Sequence, residues 1–245
     1  MSVRRSVRVA GTVLAVAGAL ALVWVVVVWR WQDPFTALYT HWKQHQLARS
    51  YDRRFEAYRP LHSGSEQSVS VMLKTIAVEA RRYRLESRRG EAIGRIVVPR
   101  LGLNMVLVNG TDHDSLTKGP GRDLRTYMPG EGQLIYIAGH RTTYLAPFAH
   151  IDSLRPGDSV TLEVPYGSFR YRIFRHVIVP SDDLAVLRSH GREVVALEAC
   201  HPRFFASHRY IAYGRLVRLE PRGGNWFSPP ATRVIAAAPL ASAQG

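Results

Sequence analysis

The chain carries a single cysteine, Cys200, at the end of the apolar run "EVVALEAC" and just before His201 and Pro202. A thiol attacks as its thiolate, and at a free pKa of about 8.5 only a few per cent is ionised at neutral pH, so a nucleophilic Cys200 needs a partner. Most of the ten histidines have ordinary settings. His41, His45 and His62 fall in a polar segment, and His113, His150 and His190 fall in expected loops or short helices. His140 differs, because "LIYIAGHRTTY" ends an apolar strand at Gly139 and presents His140 and Arg141 at its tip. Cys200 has the same placement at the tip of another strand. Nine residues later Arg209 opens the next one, where a guanidinium can donate to the oxyanion that thiol attack on a carbonyl creates.

The elements that must hold these residues are mainly β. After Gly94, β-branched runs separated by Gly and Pro predict strands at "GRIVVP", "NMVLVNG", "QLIYIAG", "DSVTLEV", "SFRYRIFRHVIVP", "EVVALEAC" and "RYIAYGRLVRL". Seven or eight strands so spaced suit a closed barrel or sandwich better than βαβ units. In the longest run, Tyr171, Ile173, Arg175 and Val177 alternate with Arg170, Arg172, Phe174 and His176, which predicts one strand with two unlike faces. Alternation also puts Glu198 on the face of Cys200, where a carboxylate raises the thiol pKa and binds nearby cations.

The first part of the chain reads differently. Arg4, Arg5 and Arg8 precede an uncharged stretch from Val9 to Trp29, long enough as a helix to cross roughly 30 Å of bilayer core. A cleaved signal peptide is the rival reading, but its apolar region is usually only about 7 to 15 residues long. The arginines favour a cytoplasmic N-terminus and a catalytic region outside, although Arg30 and Lys43 reduce the asymmetry. Two helices are expected beyond it, about 35–58 and 65–87, broken at "RPLHSGS". Val69, Met72, Leu73, Ile76 and Ala80 give the second an apolar face for packing on the domain.

The formal net charge of +14 suits nucleic acid, anionic membrane or an acidic wall polymer. An extracytoplasmic location disfavours the first. One cysteine excludes an internal disulfide. No Walker loop, dinucleotide fingerprint or zinc spacing is present, so neither metal nor cofactor is expected. Asp182 and Asp183, in the loop from Pro180 to Gly191, leave calcium dependence open.

Four blocks in order resemble the sortases, most of all the class E sortases of Gram-positive actinobacteria: "LTKGPGRDLRTYMPG", "IAGHRTTYLAPFAHIDSLRPGDSVTL", "VIVPSDD" and "LEACHPRFFASHRYIAYGRL". The likeness runs from about Ala92 to Leu219. It implies a sortase-type closed β-barrel of about eight strands with short helices, preceded by a transmembrane helix and a helical spacer. The expected divisions are a cytoplasmic end at 1–8, an anchor at 9–29, an extracytoplasmic spacer at 30–90, the barrel at 91–220 and a tail with little fixed structure at 221–245.

By the same resemblance His140, Cys200 and Arg209 take the family's catalytic positions, and Ala199, Glu198 and Tyr144 are expected to meet substrate. The implied activity is that of a membrane-anchored cysteine transpeptidase, which cleaves a Leu-Ala/Pro-x-Thr-Gly sorting signal between Thr and Gly. The protein is then joined to an amine of a peptidoglycan precursor or a pilin. Secreted proteins bearing such signals, that amine and membrane lipid are the expected partners. The chain departs from the family where sortases usually have Thr-Leu-x-Thr-Cys, since Ala196 and Ala199 replace both threonines. That departure motivates an alternative, a catalytically weak or inactive sortase-like barrel that binds or scaffolds sorting-signal proteins. A chymotrypsin-like cysteine hydrolase fits less well, because its Gly-rich nucleophile loop is absent and no acid stands in an orienting position.

Overall fold

A computed structural model describes residues 3–31, 34–61 and 68–229. Helix α1 (Val3–Trp31) contains the apolar stretch, and its segment Arg5–Val26 is long and apolar enough to cross a membrane, with none of it buried against the protein. Helices α2 (Pro34–Ala57) and α3 (Val69–Glu86) pack on the barrel that follows. Ile76, Ala80 and Tyr83 of α3 enter the main core, and the Tyr83 hydroxyl donates to the Ile93 carbonyl at 3.1 Å. Val69, expected on that face, is exposed instead.

The barrel strands are β1 (Ala92–Val98), β2 (Leu103–Asn109), β3 (Gly121–Arg122), β4 (Leu134–Ala138), β5 (Ser159–Val164), β6 (Gly167–Pro180), β7 (Val194–His201) and β8 (His208–Pro221). They close in the order β1-β2-β3-β4-β7-β8-β6-β5. β2 meets the short β3 at only Val108 and Asn109, and farther along its edge the N–H and carbonyl of Val106 bond to Gln44 of α2 instead of a strand. All seven expected runs form strands. β3 adds an eighth of only two residues, too short for a periodic signal, and its Arg122 is buried with the guanidinium on the Asn109 side chain and the Asp123 and Thr126 carbonyls.

Inside the barrel, Ile96, Leu107, Ile137, Leu162, Phe169, Tyr171, Leu197 and Ala199 share one core. A second apolar layer lies on the outer face of β4, β7 and β8, where Val186 and Leu187 of the β6–β7 connection cover Tyr136, Ala196, Ile211 and Tyr213. The two-faced reading of β6 holds only to Ile173. Arg175 is not on the buried face, because a bulge sets Ile173 against Gly214 and Arg175 against Tyr213 and flips the alternation. Val177 and Val179 consequently join the outer layer.

After β8 the chain folds back, and Phe227 exchanges hydrogen bonds with Leu219 at 2.8 and 2.9 Å. The rest of the expected tail, 230–245, lies outside the described residues.

Candidate active site

Strand register places the three candidate groups together. Cys200 and Arg209 are direct cross-strand partners on β7 and β8. Such a pair has its Cβ atoms only about 5 Å apart. On the other side of β7, the parallel strand β4 runs in register from Leu134 with Val194 to Ala138 with Glu198, and the Gly139 N–H extends the ladder to the Glu198 carbonyl at 3.0 Å. That register brings His140 level with Cys200 from a neighbouring strand about 4.8 Å away.

Gly139 is required where it stands, since a Cβ there would lie 2.6 Å from the buried ring of Phe148. Gly139→Ala should therefore destabilise the fold by about 1–3 kcal/mol through overpacking, read as a lower denaturant midpoint at unchanged m. An unaltered midpoint would show that Phe148 yields freely.

The loop after β4 holds His140 from above. Tyr144, Leu145 and Ala146 all adopt positive φ, of 52, 61 and 37°. Three consecutive non-glycine residues in that region are costly and persist only where the surroundings impose them. Here they bring the Tyr144 ring to 5.0 Å from that of His140 and 6.2 Å from that of His113. Burial, then the neighbouring His113, lowers the His140 pKa. Its Nε2 is buried without a hydrogen-bond partner among the described residues. The imidazole thus has a nitrogen free for proton exchange.

Cys200 is partly exposed, and burial pushes its thiol pKa up, with Arg209 pulling it down and Glu198 pushing it up. Both shifts favour the uncharged forms, the thiol on Cys200 and the neutral imidazole on His140.

Arg209 is held from one side. Its Nε lies 3.0 Å from Glu198 Oε1, and its Nη1 donates to the carbonyls of Ala206 and His208 at 2.9 and 3.0 Å. Nη2 has no partner among the described residues. Glu198 is 9% exposed, and burial lifts its carboxyl to about 7, against the pull of Arg209 and with a further push from Asp123. The Glu198→Gln variant should shift the pH midpoint of Cys200 alkylation downward, because it removes a negative charge that disfavours thiolate and releases Arg209 toward sulfur. An unchanged or raised midpoint would refute this coupling. The same group links stability to pH: a carboxyl raised on folding favours the fold below its unfolded value, about 4.3, and that contribution is lost as pH rises through about 7.

Of the residues expected to meet substrate, Glu198 and Tyr144 join this cluster and Ala199 does not. Ala199 is 1% exposed and points into the barrel core, since its strand neighbours Glu198 and Cys200 take the outer face. Ala196 is buried in the outer apolar layer.

Other residues of the site were not assigned from sequence. Arg141, 5% exposed, donates through Nη1 to the Cys200 carbonyl at 3.3 Å, lies 3.1 Å from His201 Nδ1 and pairs through Nη2 with Asp152 at 2.6 Å. It ties the two strand tips together. Its position beside His140 was visible, but ten intervening positions hid Asp152. Phe204, Phe205 and Ile178 are exposed around the strand ends. Their sequence signal was only that of ordinary apolar residues.

Residues 96–217 match the sortase domain. Sortase D of Bacillus subtilis is 36% identical over 132 residues, which cover 52% of this chain and 65% of that protein. Sortase SrtE1 of Streptomyces coelicolor is 32% identical over 110 residues, covering 40% of this chain and 31% of that one. The chain thus spans less than two thirds of the length of either relative. Among solved structures, a Clostridium perfringens Sortase D5 transpeptidase shares the fold at a TM-score of 0.57, with 22% identity over 71% of this chain and 98% of that one. By its domain, its relatives and its barrel, this chain belongs to the sortase family.

Proposed function

We propose that the chain is a cysteine transpeptidase in which Cys200 is the nucleophile, Arg209 the oxyanion donor and His140 the proton carrier. The observation that carries this reading is the convergence of three strand tips, with Cys200 opposite Arg209 and level with His140. The proton passes from the thiol to the unpartnered imidazole nitrogen, and the thiolate attacks the threonine carbonyl of a Leu-Ala-x-Thr-Gly or Leu-Pro-x-Thr-Gly signal. The unpaired Nη2 of Arg209 receives the oxyanion. Collapse breaks the Thr–Gly bond, and imidazolium protonates the departing glycine amine. An incoming amine, from a peptidoglycan precursor or a pilin, gives its proton to His140 and takes the acyl group from sulfur.

The exposed Phe204, Phe205 and Ile178 offer apolar surface for the leucine end of the signal. The family resemblance to class E favours the alanine form. In this reading α1 anchors the enzyme in the cell membrane with the N-terminus inside and the barrel outside, in the divisions set out from the sequence.

The inactive-scaffold alternative rested on Ala196 and Ala199. Both are fully packed, one in each apolar layer, so neither leaves an empty place in the groove. Intact-mass measurement of the full-length protein in detergent tests the proposal, with either signal peptide and with or without a glycine amine. A peptide-sized adduct that the amine removes is the expected result. Peptide binding without any adduct would favour the scaffold.

A further inference from the structure

The first turns of α2 carry a face that the barrel does not use. On the barrel side, the Thr40 hydroxyl donates to the Thr117 carbonyl at 2.8 Å, and the Gln44 amide bonds both the N–H and the carbonyl of Val106, at 2.7 and 3.1 Å. Farther along, Leu47, Ala48, Tyr51 and Phe55 pack on Ala92 and Val106. Away from the barrel, Leu38 is 72% and Trp42 53% exposed, with Tyr39 beside them and the Lys43 ammonium 4.6 Å from the Trp42 ring centre. Beyond Trp42 the outward residues change to His45, Gln46, Arg49, Asp52, Arg53 and Glu56, all exposed. The apolar part is confined to the turns nearest the end of α1.

We propose that Leu38, Tyr39, Trp42 and Lys43 rest in the headgroup layer of the bilayer that α1 crosses, so that the start of α2 is a membrane-seated foot for the barrel. This rests on the reading of α1 as a membrane span. Chain length supports lipid as the occupant: only six residues lie between Trp31 and Leu38, and even fully extended the seven steps reach only about 25 Å. The chemistry matches as well, because Trp and Tyr rings with a lysine whose stem lies along them are the side chains that settle at the membrane–water boundary. A second copy is a poorer occupant, since two helical turns offer far less than the roughly 800 Å² per partner of a stable interface.

The footing reaches the active site through one hydrogen bond. Thr36 Oγ1 accepts from the Tyr144 N–H at 3.1 Å, and Tyr144 lies over His140. A seated α2 therefore holds the His140 loop near the bilayer, where membrane-held substrate and acceptor have a high effective concentration.

Nitroxide labels on the full-length chain in phosphatidylglycerol-containing nanodiscs test this, in a Cys200→Ser background with a single cysteine introduced at His41, Leu20 or Arg53. Collision rates with oxygen and with a water-soluble nickel chelate report depth. The label at 20 should be deep, that at 41 shallow but shielded from nickel, and that at 53 aqueous. Adding Leu38→Asp and Trp42→Asp should raise nickel access at 41 several-fold. If 20 is deep while 41 is as open to nickel as 53, or if the double substitution changes nothing, the foot is wrong and the anchor stands. Spin–spin broadening at 41 would assign the face to a second copy and overturn the proposal. A label at 20 open to nickel would remove the span itself and the foot with it.

Discussion

Cys200→Ala should abolish both the peptide adduct and turnover, to the limit of detection, while leaving the thermal midpoint within a few degrees of the parent. The chain has no second thiol to substitute. The replaced side chain sits on the outer face of β7 and is partly exposed, so its removal leaves no core cavity. Intact mass and product chromatography read the first effect and calorimetry the second. Adduct formation in the variant would assign the nucleophile elsewhere, and a collapse in stability would mean that the loss of activity carried no chemical information.

Arg209→Lys should lower kcat by about 10²–10³-fold with a smaller change in KM, the range expected for losing one oxyanion donor. The structure makes the reason specific. Nε and Nη1 are committed to Glu198 and to the carbonyls of Ala206 and His208, and Nη2 alone remains for the substrate. An ammonium is a point charge on a flexible stem, so it can satisfy Glu198 or the oxyanion but cannot bridge them as the planar fork does. Single-turnover rates with excess enzyme would separate this from altered product release. A variant with parental kcat would return Arg209 to a structural partner of Glu198.

Much of the site was legible because a barrel presents strand tips as a sequence pattern. "LIYIAGH" and "EVVALEAC" each end an apolar run on a residue able to do chemistry, and rigid apolar strands are what hold such residues in place. The parts that escaped depend on contacts between distant segments. Glu198 was placed beside Cys200 by alternation, but its grip on Arg209 comes from a diagonal cross-strand approach that only the β7–β8 register sets. The same alternation, applied to Ala199, puts that residue in the core. Sequence places Arg141 only beside His140 at a strand tip, whereas the fold buries it between the Cys200 carbonyl and Asp152. The flip of β6 at Phe174 was unreadable because a bulge changes the face without changing residue types.

By itself, then, the sequence determined the class of fold, the apolar N-terminal helix and the identities of the thiol, imidazole and guanidinium, because periodicity and residue chemistry are local properties. Tertiary structure alone decided that these three converge, that burial pushes the thiol pKa up and the imidazole pKa down, that Glu198 restrains Arg209, and that α2 reaches the loop over His140. Each of those depends on register, desolvation or packing between segments tens of residues apart, and no local pattern encodes such distances.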